Sequence, residues 1–288
     1  TFPPGGGSDL FGRAVAKALS EGWRQSVLVD NRPGGNTIIG TEAAARAAPD
    51  GHTLLMIGVT FTVNASLYEK LPYDTIADFA PITFLTVGTP VALAVPAGSP
   101  VRSIKELIAL ARTKPGQMNF GSSGTGGVNH LAGELLNLMA ETKVTHVPYK
   151  GAGPMLTDLM AGRLDFGLNG TTGVLPHVQS GKFKALAVTS RTRVAALPDV
   201  PTLDESGLRG FDVAAWNALM VPGKTPASIV ARLNTDVIKA VNTVEVQQFL
   251  KADGSGPGGG TPQELRAFLR EEVEKWAKVI KVANIKPE

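Results

Sequence analysis

Apolar positions along the chain follow two spacings. Phe11, Ala14, Val15, Ala18, Leu19 and Trp23 recur every three or four residues, which predicts an amphipathic helix with Ser8 as its N-cap. Val27-Leu28-Val29, Thr53 to Val59, Val91 to Val95 and Trp216 to Val221 are short apolar runs and predict strands. The unbroken run Thr53 to Val59 suits a strand covered on both faces. Further helices are predicted from Ile38 to Ala48, stopped by Pro49-Asp50-Gly51, and from Ile104 to Thr113. Others run from about Val128 to Ala140 and from Leu156 to Ala161, with strands at Asp165 to Leu168 and Ala185 to Thr189. Thr261-Pro262-Gln263-Glu264 reads as a capping box opening a long helix through Phe268, Val273, Trp276 and Ile280. This strand–helix alternation predicts an α/β fold, with a parallel or mixed sheet wrapped by helices.

Two predicted strands end in similar runs, Val95-Pro96-Ala97-Gly98-Ser99-Pro100 and Val221-Pro222-Gly223-Lys224-Thr225-Pro226. The repetition predicts that the chain crosses between domains twice. Domain one would comprise 1–95 and 221–288, holding both termini, and domain two 96–220. A chain of 288 residues, 43% of them hydrophobic, is long enough for two cores.

Composition removes several function classes. The formal charge is +3 from 28 basic and 25 acidic residues, with no Lys/Arg block, which argues against nucleic acid as a partner. There is no Cys, so disulfides, iron–sulfur clusters, Cys-ligated zinc and thiol nucleophiles are excluded. No apolar run approaches the ~18–20 residues of a membrane span. The opening Thr1-Phe2-Pro3-Pro4 reads as a strand-to-loop junction, as expected of a processed or truncated start.

The Gly-rich loops fail as nucleotide motifs. After Gly5-x-Gly7 and Gly124-x-Gly126, the next required glycine is replaced by Leu10 and Asn129, and no Gly-Lys-Ser/Thr follows. Ser123 is not in a nucleophile elbow, because position 125 is Thr. His52, His130, His146 and His177 are too far apart for a metal set and read as surface or core-edge residues. His130 is set apart, because it lies in the first turn after the Ser/Gly loop.

Two segments share one design: Thr1 to Leu10 and Phe120 to Leu131 each run from strand through a Gly/hydroxyl loop into a helix. Such loops present backbone N–H groups at a helix N-terminus and suit an anion. Neither Phe2–Asp9 nor Gly121–His130 contains Lys or Arg. Backbone N–H groups, the hydroxyls of Ser8, Ser122, Ser123 and Thr125, and bridging water are therefore expected to meet the ligand's charge. Asp9 is expected to order its loop rather than touch an anion.

Eight segments, in order, resemble the tripartite tricarboxylate transporter receptors, the Bug or TctC family. They are Pro3-Pro4-Gly5-Gly6-Gly7-Ser8-Asp9, Asn31-Arg32-Pro33-Gly34, Pro49-Asp50-Gly51-His52-Thr53-Leu54-Leu55 and His130-Leu131-Ala132-Gly133-Glu134. Then follow Val147-Pro148-Tyr149-Lys150-Gly151, the run from Ser180 to Val188, the run from Leu197 to Leu203, and Lys275-Trp276-Ala277-Lys278-Val279-Ile280-Lys281. The resemblance implies a two-lobed type II periplasmic binding-protein fold with a hinge of two crossing strands. It implies a periplasmic receptor, not an enzyme, that holds a small carboxylate between the two loops. It implies no cofactor and no metal, a monomer, and a permease partner with large and small membrane subunits. Three departures stand out: the strand normally ahead of Phe2, the Leu168-Asn169-Gly170 run, and Gly35-Asn36 in place of Ala-Gly.

The residues expected at the ligand are Phe2, Pro3, Gly6 and Ser8 on the first lip, then Thr60, Phe61 and Asn64 after a strand end. On the second lip they are Ser122, Ser123, Thr125, Gly126 and His130, joined by Tyr149, Gly151, Asn169, Gly170, Thr171 and Trp216. Two other readings are compatible with the sequence: a ligand-sensing module for a membrane signalling partner, and an α/β enzyme.

Overall fold

The computed structural model describes residue 1 and residues 7–287. In chain order the elements are α1 (Gly7–Trp23), α2 (Ile38–Ala45), β1 (Leu55–Gly58), α3 (Val59–Leu67), β2 (Phe79–Thr89), β3 (Val91–Pro96) and α4 (Ile104–Thr113). They continue with β4 (Asn119–Ser122), α5 (Val128–Ala140), β5 (Thr145–Pro148), α6 (Ala152–Met160), β6 (Phe166–Gly170), α7 (Thr171–Gln179) and β7 (Phe183–Val188). The last are β8 (Ala215–Pro222), α8 (Ala227–Val241), α9 (Val244–Asp253), β9 (Gly256–Gly259) and α10 (Pro262–Ala283). Two compact units emerge: Thr1–Val87 with Trp216–Lys278, and Gly88–Ala215 with Val279–Glu288.

The first unit is built on a four-stranded sheet in the order β1-β8-β2-β9. β1 runs antiparallel to β8, from Leu55 opposite Met220 to Gly58 opposite Asn217. The helical spacing of Phe11, Val15 and Leu19 brings them to one face of α1. There they pack with Ile82 and Leu85, Leu219 and Val221, and Val237 and Val241 of α8. The capping box at α10 is formed: Thr261 N donates to Glu264 Oε2 at 2.7 Å, and Glu264 N to Thr261 Oγ1 at 3.2 Å.

Four sequence expectations shift in this unit. α1 begins at Gly7, so Ser8 lies in its first turn rather than at its cap. The helix over Ile38 ends at Ala45, short of Ala48. The strand over Thr53–Val59 is shorter, because Val59 opens α3, whose residues are buried almost all round. Periodicity cannot separate such a helix from a buried strand. Val27–Val29 forms no ladder among the described residues, and Leu28 is 87% exposed. An apolar run becomes a strand only when a neighbour takes its backbone groups. Instead, Val27–Arg32 and Leu54–Met56, with α1 and α2, line an open groove of about 390 Å³. β9 went unread because its Gly256-Pro257-Gly258-Gly259 carries no apolar signal. A Cβ on Gly258 would lie 2.1 Å from the Phe84 carbonyl oxygen, so the close approach to β2 requires glycine.

The second unit holds a five-stranded mixed sheet, β5-β4-β6-β3-β7. β4 is parallel to both β5 and β6, while β3 is antiparallel to β6 and β7. β4, β5 and β6 each lead directly into a helix: α5, α6 and α7. α5 lies close on the sheet because Gly133 has no side chain; a Cβ there would meet Phe120 Cε2 at 2.2 Å. Met155, Leu159, Leu164, Val174 and Phe183 fill the core on Ala92 and Ala94 of β3. No helix among the described residues is long and apolar enough to cross a membrane.

Candidate functional site

In the second unit, the C-terminal ends of the adjacent parallel strands β5 and β4 lead through loops into helices, and β6 passes straight into α7. This is where ligands bind in open α/β sheets. Each of the three helices begins on a glycine N-cap, Gly127 for α5, Gly151 for α6 and Gly170 for α7, and none of the three carries a side-chain cap. By contrast, α4 is closed by Ser103, whose Oγ accepts from Glu106 N at 3.2 Å. The first-turn N–H groups at the three glycine caps thus lack the side-chain oxygen that would consume them.

Hydrogen bonds knit these three strand-to-helix junctions together. Tyr149 N donates to Ser122 O at 3.1 Å and Gly151 N to Ser123 O at 3.2 Å, joining the β5 and β4 loops. Asn129 Nδ2, in the first turn of α5, donates to Ser123 Oγ at 3.0 Å and lies 3.4 Å from Asn169 Oδ1, joining the β4 loop to the end of β6. Gly151 sits at φ 101°, a conformation that favours glycine.

The expected contact residues divide into two groups here. Ser123, Thr125 and Gly170 are half-buried at the loop surface, and Asn169 lies just beneath. The Ser123 hydroxyl accepts from Asn129, and its own proton has no acceptor among the described residues. The second group braces the loops. Ser122 is fully buried; its Oγ bonds Gly124 O at 3.0 Å, Gly124 N at 3.2 Å and His146 Nε2 at 2.7 Å. Gly126 N is taken by His130 Nδ1 at 3.0 Å. The Thr171 N–H and hydroxyl both donate to Pro90 O, each at 3.1 Å. The Tyr149 hydroxyl donates to Asp158 Oδ2 at 2.8 Å, and Arg163 Nη1 to Asp158 Oδ1 at 2.6 Å. These bonds hold the Asp158 carboxyl below its usual range, while burial and then Asp158 push the Tyr149 phenol up. A hydroxyl or N–H already spent inside the protein is a poor ligand donor, so these side chains set loop shape instead.

His130 and His146 form a stacked pair, ring centroids 3.7 Å apart and 13° from parallel. Burial, and then the neighbouring His130, push His146 down to about 3, so its ring is neutral. The sequence reading set His146 aside as a surface or core-edge residue. Asn129 was likewise passed over, although a polar residue in the first turn after a Gly loop was the available signal.

In the first unit, Phe2, Pro3 and Gly6 lie outside the described residues. Asp9 is 5% exposed; it accepts from Arg13 Nε at 3.1 Å and from Asn31 Nδ2 at 2.9 Å, which orders the start of α1. Thr60 is half-buried in the first turn of α3, behind another glycine cap, Gly58. Phe61 faces the core, stacked on Tyr73 at 6.4 Å and edge-on to Phe79 at 5.5 Å. Asn64 is fully buried: its Nδ2 donates to Asn36 O at 2.7 Å and its Oδ1 accepts from Asn36 Nδ2 at 2.9 Å. It holds a turn in which Asn36 (φ 51°) and the β-branched Thr37 (φ 75°) take left-handed conformations. Trp216 is core as well, edge-on to Phe268 at 5.3 Å, with its indole N–H on the buried Glu272 at 3.3 Å. The same carboxylate accepts from Trp276 at 2.8 Å and is paired with Lys275.

Two α/β units, glycine-capped helices at strand ends and loops knit by internal bonds define a solute-binding protein of the periplasmic type. The chain belongs to the tripartite tricarboxylate transporter family receptors, whose family model matches residues 11–285. It is 40% identical over 280 residues, 97% of this chain and 83% of the other, to the "UPF0065 protein in tcbD-tcbE intergenic region" of Pseudomonas sp. (strain P51). It is similar to the solved structure of R. palustris Rpa4515 with adipate, at 34% identity and TM-score 0.84, covering 100% of this chain and 96% of that one. MatC of Rhodopseudomonas palustris with bound malate matches at 31% identity and TM-score 0.80, covering 97% and 96%. The protein is therefore a periplasmic solute-binding receptor, not an enzyme, and its family works with a membrane transporter.

Proposed function

We propose that this receptor captures a small dicarboxylate and acts as a monomer that delivers it to a permease of large and small membrane subunits. The observation that carries the reading is the set of three glycine-capped helix N-termini at the ends of β4, β5 and β6. In this reading a carboxylate takes the uncapped N–H groups and the Ser123 hydroxyl, with Thr125, Asn169 and Gly170 around it. The two relatives with adipate and malate support a dicarboxylate. The magnitudes are adequate. Hydrogen bonds to a charged group contribute ~1.5–3 kcal/mol each and a helix N-terminus ~0.3–1 kcal/mol. Four such bonds reach the roughly −8 kcal/mol of a micromolar complex when the loops are pre-formed.

Calorimetric titration with adipate and malate, and with their diamides, is the test. The acids should bind near micromolar and the diamides should not. Lys150 is exposed on the β5 loop, and Lys150→Ala should change affinity by less than about threefold. Equal binding of acid and diamide, or loss of binding in Lys150→Ala, would overturn the backbone-anion account.

A further inference from the structure

His130 is not placed to touch a ligand. It is 3% exposed, beneath the loop, and enclosed by Phe120 of β4, His146 of β5 and its own helix α5. Its one bond to the loop is the Gly126 N–H at Nδ1, 3.0 Å. That bond assigns the tautomer: Nδ1 must be bare, so the ring proton of neutral His130 sits on Nε2. Nε2 lies 3.6 Å from Glu134 Oε1, the carboxylate one turn along α5. Gly126 has φ 73°, a left-handed position in the Ser123–Gly127 turn, so one side-chain acceptor holds the point where that turn reverses.

We propose that neutral His130 is a positioning residue that sets the carboxylate loop through Gly126, and that its protonation releases the loop and weakens ligand binding. The inference rests on the carboxylate reading above. A proton on Nδ1 would set N–H against N–H, and the Gly126 bond would be lost. The charged and titratable groups facing the ring are Glu134 from α5 and His146 from β5. His146 sits too close for both rings to be charged, and its own protonation is suppressed by burial and by His130. The sign follows: acid opens the Gly126 contact, and affinity falls as pH falls.

Two readouts test this on the full chain. The first is the adipate Kd from about pH 8 to about pH 5, across the range where histidine titrates. The second is the amide shift of Gly126 over the same range without ligand, with the ring-nitrogen shifts of His130. In the wild type, Nδ1 should be unprotonated at the high end, the Gly126 amide should titrate, and Kd should rise about tenfold on acidification. His130→Leu removes the acceptor and should weaken adipate about five- to tenfold at every pH, which is the loss of about one hydrogen bond. His130→Asn offers an oxygen where Nδ1 stood and does not titrate. It should recover most of the affinity lost in His130→Leu and should flatten both pH profiles. A pH-independent Gly126 amide, or an Asn variant that titrates like the wild type, would overturn the proposal. If adipate and malate fail to bind while the Gly126 amide still titrates, the carboxylate reading fails and the loop assignment stands.

Discussion

Ser122 and Ser123 are neighbours with opposite tasks. Ser122 is sealed into the sheet, and its single oxygen serves Gly124 twice and His146 once. Ser123 is half-buried, and its own proton has no acceptor among the described residues. Ser122→Ala strands three polar partners, so it should cost about 1–3 kcal/mol of stability in urea unfolding. Ser123→Ala should leave the midpoint within about 0.5 kcal/mol and weaken dicarboxylate binding at least fivefold by calorimetry. If the two effects are exchanged, the division between brace and contact is wrong. Sequence places both serines in one loop and cannot rank them, because depth is set by β5 and α5 closing over Ser122. Phe61 and Trp216 teach the same lesson. Both stand beside residues that resemble ligand contacts, and both are claimed by aromatic partners distant in sequence.

At the scale of the element, what matters is the way helices begin. α4 and α10 carry their own side-chain caps, whereas α5, α6 and α7 begin on glycine. Gly127 has φ −78°, an ordinary value for any residue. A Cβ there would meet only Gly124 O, at 3.7 Å. Gly127→Asp should therefore fold, and its carboxylate should cap α5. The expected result is a stability gain of up to about 1 kcal/mol from the cap and the helix dipole, together with loss of dicarboxylate binding. Thermal unfolding and titration on one sample check both halves; a variant that binds as before would show that these N–H groups are not the site. The glycines and the start of α5 near Val128 were legible in the sequence, whereas α6 begins at Ala152 rather than Leu156 and α7 carried no helical signal that was read. The pairing that sets three such starts side by side, β5-β4-β6, was not legible, because strand order depends on contacts far apart in the chain.

For the molecule as a whole, the stacked histidine pair links stability to pH. The His146 pKa is lowered from 6.5 to about 3 in the folded protein. Between those values the unfolded chain binds a proton that the folded one refuses, so stability is full above about pH 6.5 and falls as pH drops toward 3. The ring is partly exposed and solvent screens it, so the loss by about pH 4 should be about 2 kcal/mol. Urea unfolding at both pH values should show this difference, and His146→Gln, which keeps a polar atom for Ser122, should reduce it by at least half. An unchanged pH slope in that variant would place the linkage elsewhere.

Local chemistry determined much of this protein by itself. Helical spacing in α1, the capping box of α10, the Gly/hydroxyl loops and the absence of Cys or a catalytic constellation are properties of near neighbours or of composition. Eight short segments in order were enough for the family. Tertiary structure alone decided three matters. It decided that Val27–Val29 forms no ladder while Gly256–Gly259 does, because a strand exists only through its partner. It decided which hydroxyls remain for a ligand, because a donor is free or spent only once its neighbours are in place. And it brought His130 onto His146, 16 positions away in sequence, turning two residues that read as ordinary into one coupled pair.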